Sequence, residues 1–289
     1  MTVPASVPAQ RRRAVFLDVD GTYAFHGTVP DAHVRAVREA RAAGHAVFLC
    51  TGRPVSLISE ELLAAGFDGV VASAGAYVML GDEVIQDIRF PTELAREALR
   101  LLDEVGTHYL LETPEGTYAR RDSYDLLAAR AALSAEPGFE HLATLHDIVA
   151  AIDVQQSLSP VGIGKITAFD GPVAITDIAR QLGPGVSVFP SSIADLGVGS
   201  GEIYLSHVDK AIGVEAAITA LGIPREDAVA FGDNLNDLGM ITYAGVGVAM
   251  ADGKAEVIAA ADVVVPGPGE NGVAVGFAQL GLADAFAAS

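Results

Sequence analysis

Short apolar segments that alternate with helix-like segments limit most strongly how this chain can fold. AVFL, AVFLC and GVVA are separated by PDAHVRAVREARAAGH, which places Val34, Val37 and Ala40 on one face, and by VSLISEELLAAG, predicted as a second helix ending at Gly66. Continuous apolar strands joined by helices are typical of parallel sheets covered on both faces. The sequence therefore predicts an α/β fold with a Rossmann-like parallel-sheet core.

The alternation breaks near residue 83, where hairpins and shorter helices are predicted instead. THYLLETPEGTYARR alternates on both sides of a Pro-Glu-Gly turn, and VGIGKITAFDG has the pattern of an exposed strand. The strand and helix alternation returns from GEIYL onward. We therefore predict a discontinuous α/β core, formed by residues 1–82 and 194–289, into which an α+β cap domain of residues 83–193 is inserted.

Composition and charge exclude several classes of partner. Although 51% of the 289 residues are hydrophobic, no apolar run reaches the roughly 18 residues of a membrane span. The net charge of −19 opposes binding to nucleic acid and to anionic lipid. A single cysteine, Cys50, excludes an intramolecular disulfide and fits a reducing cytoplasm. We expect a cytoplasmic monomer or homodimer that binds neither nucleic acid nor a membrane.

Polar residues stand where several predicted strands end. The sets are Asp18, Asp20 and Thr22 after the first strand, Thr51, Gly52 and Arg53 after the second, and GDNLND, Gly232 to Asp237, after a late strand. Each set has an ordinary explanation: Asp-Gly is a common turn, Thr-Gly-Arg-Pro suits a helix start, and Asn and Asp bond their own backbone in turns. None of these explains why three strands finish in polar residues at one edge, which is where open α/β sheets bind ligands.

Lys210 adds an independent sign of an anion site. It opens a predicted helix for which Asp209 is the expected cap. A cation in the first turn opposes the helix macrodipole and costs on the order of 0.3 to 1 kcal/mol. The cost is understandable if Lys210 and nearby backbone N–H groups face a bound anion.

DVDGT, TGR, the lysine of VDK and GDNLND, in that order, resemble the motifs of the haloacid dehalogenase superfamily. The long interval from Arg53 to Lys210 is similar to that of the Cof-type phosphatases, whose α+β cap lies between the second and third motifs. The resemblance covers residues 14 to about 277. Two departures from the family pattern stand out. The segment SAGA, Ser73 to Ala76, replaces the frequent NGA. Tyr23 follows DGT where leucine is common, and the ring of Tyr23 would then lie near the site entrance.

The resemblance implies Mg²⁺-dependent hydrolysis of a small phosphomonoester, with a sugar phosphate as the expected substrate, through an aspartyl phosphate. Asp18 is then the nucleophile and Asp20 the general acid and base, with Lys210 as a third catalytic residue. The metal ligands it implies are Asp18, Asp20, Asp233 and Asp237. The phosphate-binding residues it implies are Thr51, Gly52, Arg53 and Lys210. Arg53 has two open roles, contact with substrate or pairing with a core carboxylate.

Substrate discrimination is expected from the inserted segment, because the core motifs contact only groups that every phosphomonoester shares. The candidates are Tyr23, Tyr118, Arg120, Arg121 and Lys165. Adjacent strand residues face opposite sides, so only one of the two arginines can face the site, and Lys165 has the alternative of a solvent-facing strand position. Two other functions stay open: a phosphotransferase of the phosphomannomutase type on the same core, and a catalytically silent binding protein.

Overall fold

The computed structural model describes residues 11–136, 138, 139, 142, 144–189, 196, 197 and 199–283. Its strands are, in chain order, β1 (Ala14–Leu17), β2 (Ala46–Cys50), β3 (Gly69–Ala72), β4 (Tyr77–Leu80), β5 (Glu83–Asp87), β6 (His108–Thr113), β7 (Gly116–Ala119), β8 (Ile152–Val154), β9 (Lys165–Phe169), β10 (Val186–Phe189), β11 (Gly201–Leu205), β12 (Ala228–Gly232), β13 (Val246–Met250) and β14 (Val263–Val265). Its helices are α1 (Asp31–Ala42), α2 (Glu60–Leu63), α3 (Thr92–Val105), α4 (Arg121–Leu133), α5 (Thr144–Ala151), α6 (Ile175–Leu182), α7 (Lys210–Leu221), α8 (Leu238–Tyr243), α9 (Ala255–Ala260) and α10 (Gly272–Gln279). Within these residues, no helix has the length and apolar character that crossing a membrane requires.

The first sheet contains the predicted parallel core. Its strand order is β14-β13-β12-β1-β2-β3-β4-β5, and the pairing is parallel from β14 to β3. β1 lies between β2 and β12, so that Phe16 is opposite Phe48 on one side and Ala230 on the other. β4 and β5 extend the sheet in antiparallel pairing. The predicted α/β fold class is confirmed.

Alternate residues of β1 enter apolar layers on opposite faces of this sheet. Val15 and Leu17 belong to a layer that also contains Val37 of α1 and Phe277 of α10. Phe16 belongs to the other layer, which α7 and α8 cover. Burying one such side chain contributes about 1.5 to 3 kcal/mol to stability. Helices on both faces explain why the central strands are apolar at every position.

The segment after β2 differs from its prediction as a single helix. The chain forms one 3₁₀ turn at Val55–Leu57, and α2 follows as a short separate helix. Ile58 interrupts the helix because its ψ of 108° is extended. Ser59 then begins α2, since its side chain accepts a hydrogen bond from the backbone N–H of Leu62.

The second sheet has the strand order β10-β11-β9-β6-β7-β8 and is antiparallel except between β7 and β8. The predicted hairpin is confirmed by the pairing of β6 with β7, in which Thr113 is opposite Gly116. The prediction of an exposed strand at β9 is wrong, because every residue of Lys165–Phe169 is buried. β9 lies in the middle of the sheet, and Ile166 and Ala168 pack into the apolar layer that includes residues of α3 and α6.

Two strands lie in a different sheet from the one that their sequence patterns indicated. β5, predicted within residues 83–193, pairs with β4 in the first sheet. β11, predicted to return the chain to the core, pairs with β9 and β10 in the second sheet. The points at which the strand and helix alternation breaks and returns along the chain therefore indicated the wrong sheet for both strands. The predicted boundary between residues 193 and 194 lies outside the described residues.

Candidate active site

Asp18 is the first residue after β1, at the carboxyl edge of the first sheet. Its backbone N–H donates to the carbonyl of Phe231 at 3.0 Å, which continues the pairing of β1 with β12 by one residue. Its side chain is buried, and Lys210 Nζ donates to its Oδ1 at 2.5 Å. The sheet therefore holds this carboxylate rigidly, and the lysine orients it.

Lys210 reaches Asp18 from the first turn of α7. Asp209 is the N-cap, as predicted, and its side chain accepts a hydrogen bond from Ile212 N at 3.1 Å. Lys210 is fully buried and also donates to Asp237 Oδ1. Burial alone would lower the pKa of Lys210, but the carboxylates of Asp18 and Asp237 outweigh it and raise that pKa. These two ion pairs offset the unfavourable interaction between the Lys210 ammonium group and the positive end of the α7 macrodipole.

The loop after β12 supplies two more carboxylates. Asp237 Oδ2 accepts hydrogen bonds from the backbone N–H groups of Asp233 and Asn234, each at 3.0 Å, so it fixes the loop as well as facing Lys210. Asp233 Oδ1 accepts from Thr22 Oγ1 at 3.0 Å, which ties this loop to the turn after β1. Glycine is required at position 21 of that turn, because φ is +90° and a Cβ atom would lie 2.5 Å from Asp233 Oδ2.

Asp18, Asp233 and Asp237 form a cluster whose oxygen atoms fit a hard divalent cation. One ligand atom from each lies within 4.8 Å of the others. Burial and then the charge of Asp237 raise the pKa of Asp18 well above its usual range. The same two causes raise the pKa of Asp233 to about 6. Three crowded carboxylates face one lysine, and Mg²⁺, which prefers carboxylate oxygen, would balance the remaining negative charge.

Asp20 and Arg53 meet at the mouth of this cluster. Arg53 Nε and Nη2 donate to the two carboxylate oxygens of Asp20 at 2.9 and 2.6 Å. Such a bidentate pair fixes the orientation of both side chains. Of the two roles left open for Arg53, the structure shows pairing with a core carboxylate. The side chain of Asp20 is 47% exposed, in contrast to the buried Asp18.

A strained turn holds the Thr51–Gly52–Arg53 segment in place. Ser73 N donates to the carbonyl of Arg53 at 2.9 Å, and Ala74 N donates to the carbonyl of Thr51 at 3.0 Å. Both donors have left-handed backbone angles, with φ of +48° and +53°. Asparagine adopts this conformation more readily than alanine, which gives a physical reason for the NGA pattern that SAGA replaces.

Tyr23, predicted near the entrance of the site, is instead part of the core. It is fully buried and its ring meets Phe67 edge to face at 5.3 Å between centroids. Its hydroxyl has no hydrogen-bond partner among the described residues. The ring lies in the apolar layer that also contains Leu17 and Val37. Tyr23 therefore cannot contact substrate in this structure.

Among the other four specificity candidates, only Lys165 touches the core site. Thr117 on β7 faces the core, where its hydroxyl oxygen lies 3.2 Å from that of Ser56. Because neighbouring strand residues face opposite sides, Tyr118 faces away from the core and packs into an apolar layer. Arg120 pairs with Asp103 and stacks on Tyr109, and Arg121 is a 67% exposed side chain that pairs with Asp125. Lys165 Nζ donates to the carbonyl of Gly52 at 2.9 Å, so it is not solvent-facing.

Residues beyond those predicted also line the site. The Nδ2 atom of Asn236 would lie 3.8 Å from a Cβ atom at Gly52, and its Oδ1 is buried with no partner among the described residues. GDNLND signalled this loop, but only its acids were singled out. Glu112, Glu202 and Tyr204 surround Lys165, and only the pairing of their strands could have brought them together.

Comparison with known proteins agrees with this geometry. A family model for haloacid dehalogenase-like hydrolases matches residues 15–277. YkrA of Bacillus subtilis is 28% identical over an alignment of 275 residues that covers 93% of this chain and 98% of YkrA. The pyridoxal phosphate phosphatase YbhA of Escherichia coli is 25% identical over an alignment of 265 residues that covers 88% of this chain and 93% of YbhA.

A solved structure shares the fold over nearly the full length. The subclass IIB sugar phosphatase BT4131 superposes with a TM-score of 0.74 at 23% identity, covering 93% of this chain and 99% of that one. The resemblance drawn from the four sequence motifs is thus confirmed at the level of the family. The protein is an enzyme of the haloacid dehalogenase-like hydrolase family.

Proposed function

We propose that this enzyme is a Mg²⁺-dependent phosphatase that hydrolyses a small phosphomonoester, with a sugar phosphate as its substrate class, through an aspartyl phosphate on Asp18. The observation that carries the proposal is the position of Asp18, a buried carboxylate held by Lys210 and grouped with Asp233 and Asp237 at the sheet edge. The names of BT4131 and YbhA support a small phosphorylated metabolite as substrate.

In the first step, an Asp18 carboxylate oxygen attacks phosphorus and the bond from phosphorus to the ester oxygen breaks. Lys210 balances negative charge beside the nucleophile, while the Thr51 hydroxyl and the Gly52 amide hold phosphate oxygens. Asp20 enters this step as the protonated acid and gives its proton to the leaving oxygen, so the leaving group departs as an alcohol. Its exposed position at the mouth of the cluster suits contact with the leaving group.

In the second step, water attacks phosphorus and Asp20 takes the proton of that water. The bond between phosphorus and the Asp18 oxygen breaks, inorganic phosphate leaves, and the carboxylate is restored. The bidentate contact with Arg53 holds Asp20 as the carboxylate that takes the proton of the water. We assign Arg53 to positioning Asp20 rather than to contact with substrate.

Asp18, Asp233 and the backbone carbonyl of Asp20 would hold Mg²⁺, with Asp237 binding directly or through water. When bound, the ion supplies the positive charge that allows a carboxylate to approach an anionic phosphate. The chain itself keeps these oxygens in place, because Thr22 fixes Asp233 and two backbone N–H groups fix Asp237.

The test is a screen of phosphorylated metabolites for release of inorganic phosphate in the presence of Mg²⁺. We expect phosphate release from at least one sugar phosphate. Transfer of the phosphoryl group to a second hydroxyl without free phosphate would contradict hydrolysis and favour the phosphomannomutase type. Binding of metabolites with no turnover of any kind would favour a silent binding protein.

A further inference from the structure

The face of the second sheet that meets the core carries a compact group of buried polar side chains. Its members are Glu112 on β6, Lys165 and Thr167 on β9, and Glu202 and Tyr204 on β11. The strand register sets Lys165 beside Glu112 and Thr167 beside Glu202, so all of them share one face. Each is at most 5% exposed. We call this group the glutamate–lysine cluster.

Lys165 lies against three oxygen atoms. Its Nζ donates to the Gly52 carbonyl at 2.9 Å and pairs with Glu112 Oε2 at 2.9 Å and with Glu202 Oε1 at 3.5 Å. The contact with Gly52 is a hydrogen bond, and the contacts with the two carboxylates are ion pairs. The lysine therefore holds both glutamates beside the phosphate-binding loop, and its single charge is shared between them.

The two hydroxyl groups of the cluster are also used as donors. Thr167 donates to Glu112, and Tyr204 donates to Glu202. The Tyr204 oxygen lies 3.6 Å from the position that a Cβ atom on Gly52 would take, which brings it next to the phosphate-binding loop. The cluster thus contains two carboxylates against the one ammonium group of Lys165.

No arginine of the inserted segment offsets this surplus. All seven arginines between residues 88 and 208 lie in the described part of the chain, and each has a carboxylate within 3.5 Å: Arg89, Arg96, Arg100, Arg120, Arg121, Arg130 and Arg180. A second anionic group on a substrate would therefore meet glutamates with no uncommitted arginine nearby.

We propose that the glutamate–lysine cluster selects the leaving group of the substrate by charge. A neutral or cationic leaving group that bears hydroxyl or amino donors is accepted. A leaving group that carries a carboxylate or a second phosphate is rejected. The inference rests on the proposed phosphatase function. Donors on the leaving group find acceptors in the cluster, and a site built for such groups discriminates strongly against analogues that lack them. A like charge placed against the cluster is repelled.

The test compares kcat/KM within matched pairs, sorbitol 6-phosphate against 6-phosphogluconate and glycerol 3-phosphate against 3-phosphoglycerate. p-Nitrophenyl phosphate reports the core chemistry independently of either pair. We expect the neutral member to be preferred by at least about tenfold in one pair or both. If p-nitrophenyl phosphate is hydrolysed and neither neutral member is preferred, the inference is overturned while the phosphatase function stands. If none of the five compounds is hydrolysed, both fail.

A variant locates the selection in the cluster. Glu202→Gln removes one negative charge with little change in shape, and we expect it to lower the neutral-to-acid ratio by at least about threefold. Glu104→Gln on α3, a 58% exposed side chain, makes the same charge change far from the cluster and should keep the wild-type ratio. If Glu202→Gln does not fold, the same neutral-to-acid ratio is measured with Glu112→Gln. An unchanged ratio in a folded cluster variant would contradict the proposal.

Discussion

Gly75 is the residue through which the strained turn after β3 meets the helix that carries Lys210. Its φ is +102°, and a Cβ atom there would lie 2.0 Å from the backbone oxygen of Asp209 and 2.8 Å from its carbonyl carbon. Gly81 offers a matched control, because its φ of +57° is also positive while no atom lies within 4 Å of its Cβ position. Both substitutions therefore place alanine at a positive φ, but only Gly75→Ala brings the new Cβ atom into collision with the backbone of Asp209.

The expected magnitudes follow from these two contributions. A left-handed alanine costs about 1 to 2 kcal/mol, which is the whole effect expected for Gly81→Ala. The overlap at position 75 is with backbone atoms that cannot rotate away, and overpacking of this kind adds about 1 to 3 kcal/mol. We expect Gly75→Ala to lower the free energy of unfolding by about 3 kcal/mol. Because Asp209 caps α7, its displacement also moves Lys210 and should lower kcat.

Urea unfolding followed by circular dichroism measures the free energies, and p-nitrophenyl phosphate hydrolysis measures kcat. The two variants should differ in unfolding free energy by at least about 1 kcal/mol, with kcat reduced only in Gly75→Ala. Equal destabilisation of the two variants, or an unaltered kcat in Gly75→Ala, would refute the idea that this backbone contact positions Lys210.

Three further predictions concern the catalytic groups and the cluster. Asp20→Asn should lower kcat by about 100-fold or more for alkyl phosphates and by less for p-nitrophenyl phosphate, whose leaving group needs less protonation; equal losses would count against the proton-transfer role. Chelation should abolish turnover and Mg²⁺ should restore it, with Ca²⁺ a poor substitute because it prefers more ligands at longer distances; equal rates with Ca²⁺ would contradict the proposed site. Lys165→Met should lower the free energy of unfolding by about 3 to 5 kcal/mol, because it leaves two buried glutamates without their cation. The exposed control Lys254→Met should change the free energy of unfolding by about 0.5 kcal/mol or less, as measured by urea unfolding. Similar losses in the two variants would show that the ion pairs of Lys165 are weak.

The sequence predicted the parallel core well because each central strand is apolar throughout and its end is marked by polar residues. Asp18, Lys210, Asp233 and Asp237 lie on short motifs directly after strands or at a helix start, so local patterns were enough to bring them to one edge. The cap for Lys210 was equally local, since Asp209 immediately precedes the helix.

Residues whose environment depends on strand pairing could not be predicted in the same way. Lys165 has the pattern of an exposed strand, but its ion pairs come from Glu112 and Glu202, which are 53 and 37 residues away in the chain and reach it only through neighbouring strands. Tyr23 lies one residue beyond a motif at the site, yet the turn directs its ring into the core. Local spacing carries no information about either contact.

The central claim, that Asp18 is the nucleophile, is tested most directly by acid quench during turnover, followed by mass spectrometry of the peptides. We expect the peptide containing Asp18 to gain the mass of one phosphoryl group, and hydroxylamine to remove that group, as is typical of an acyl phosphate. Asp18→Asn should fold, show no turnover and give no labelled peptide. Label on another residue, or appreciable phosphate release by Asp18→Asn, would contradict the account.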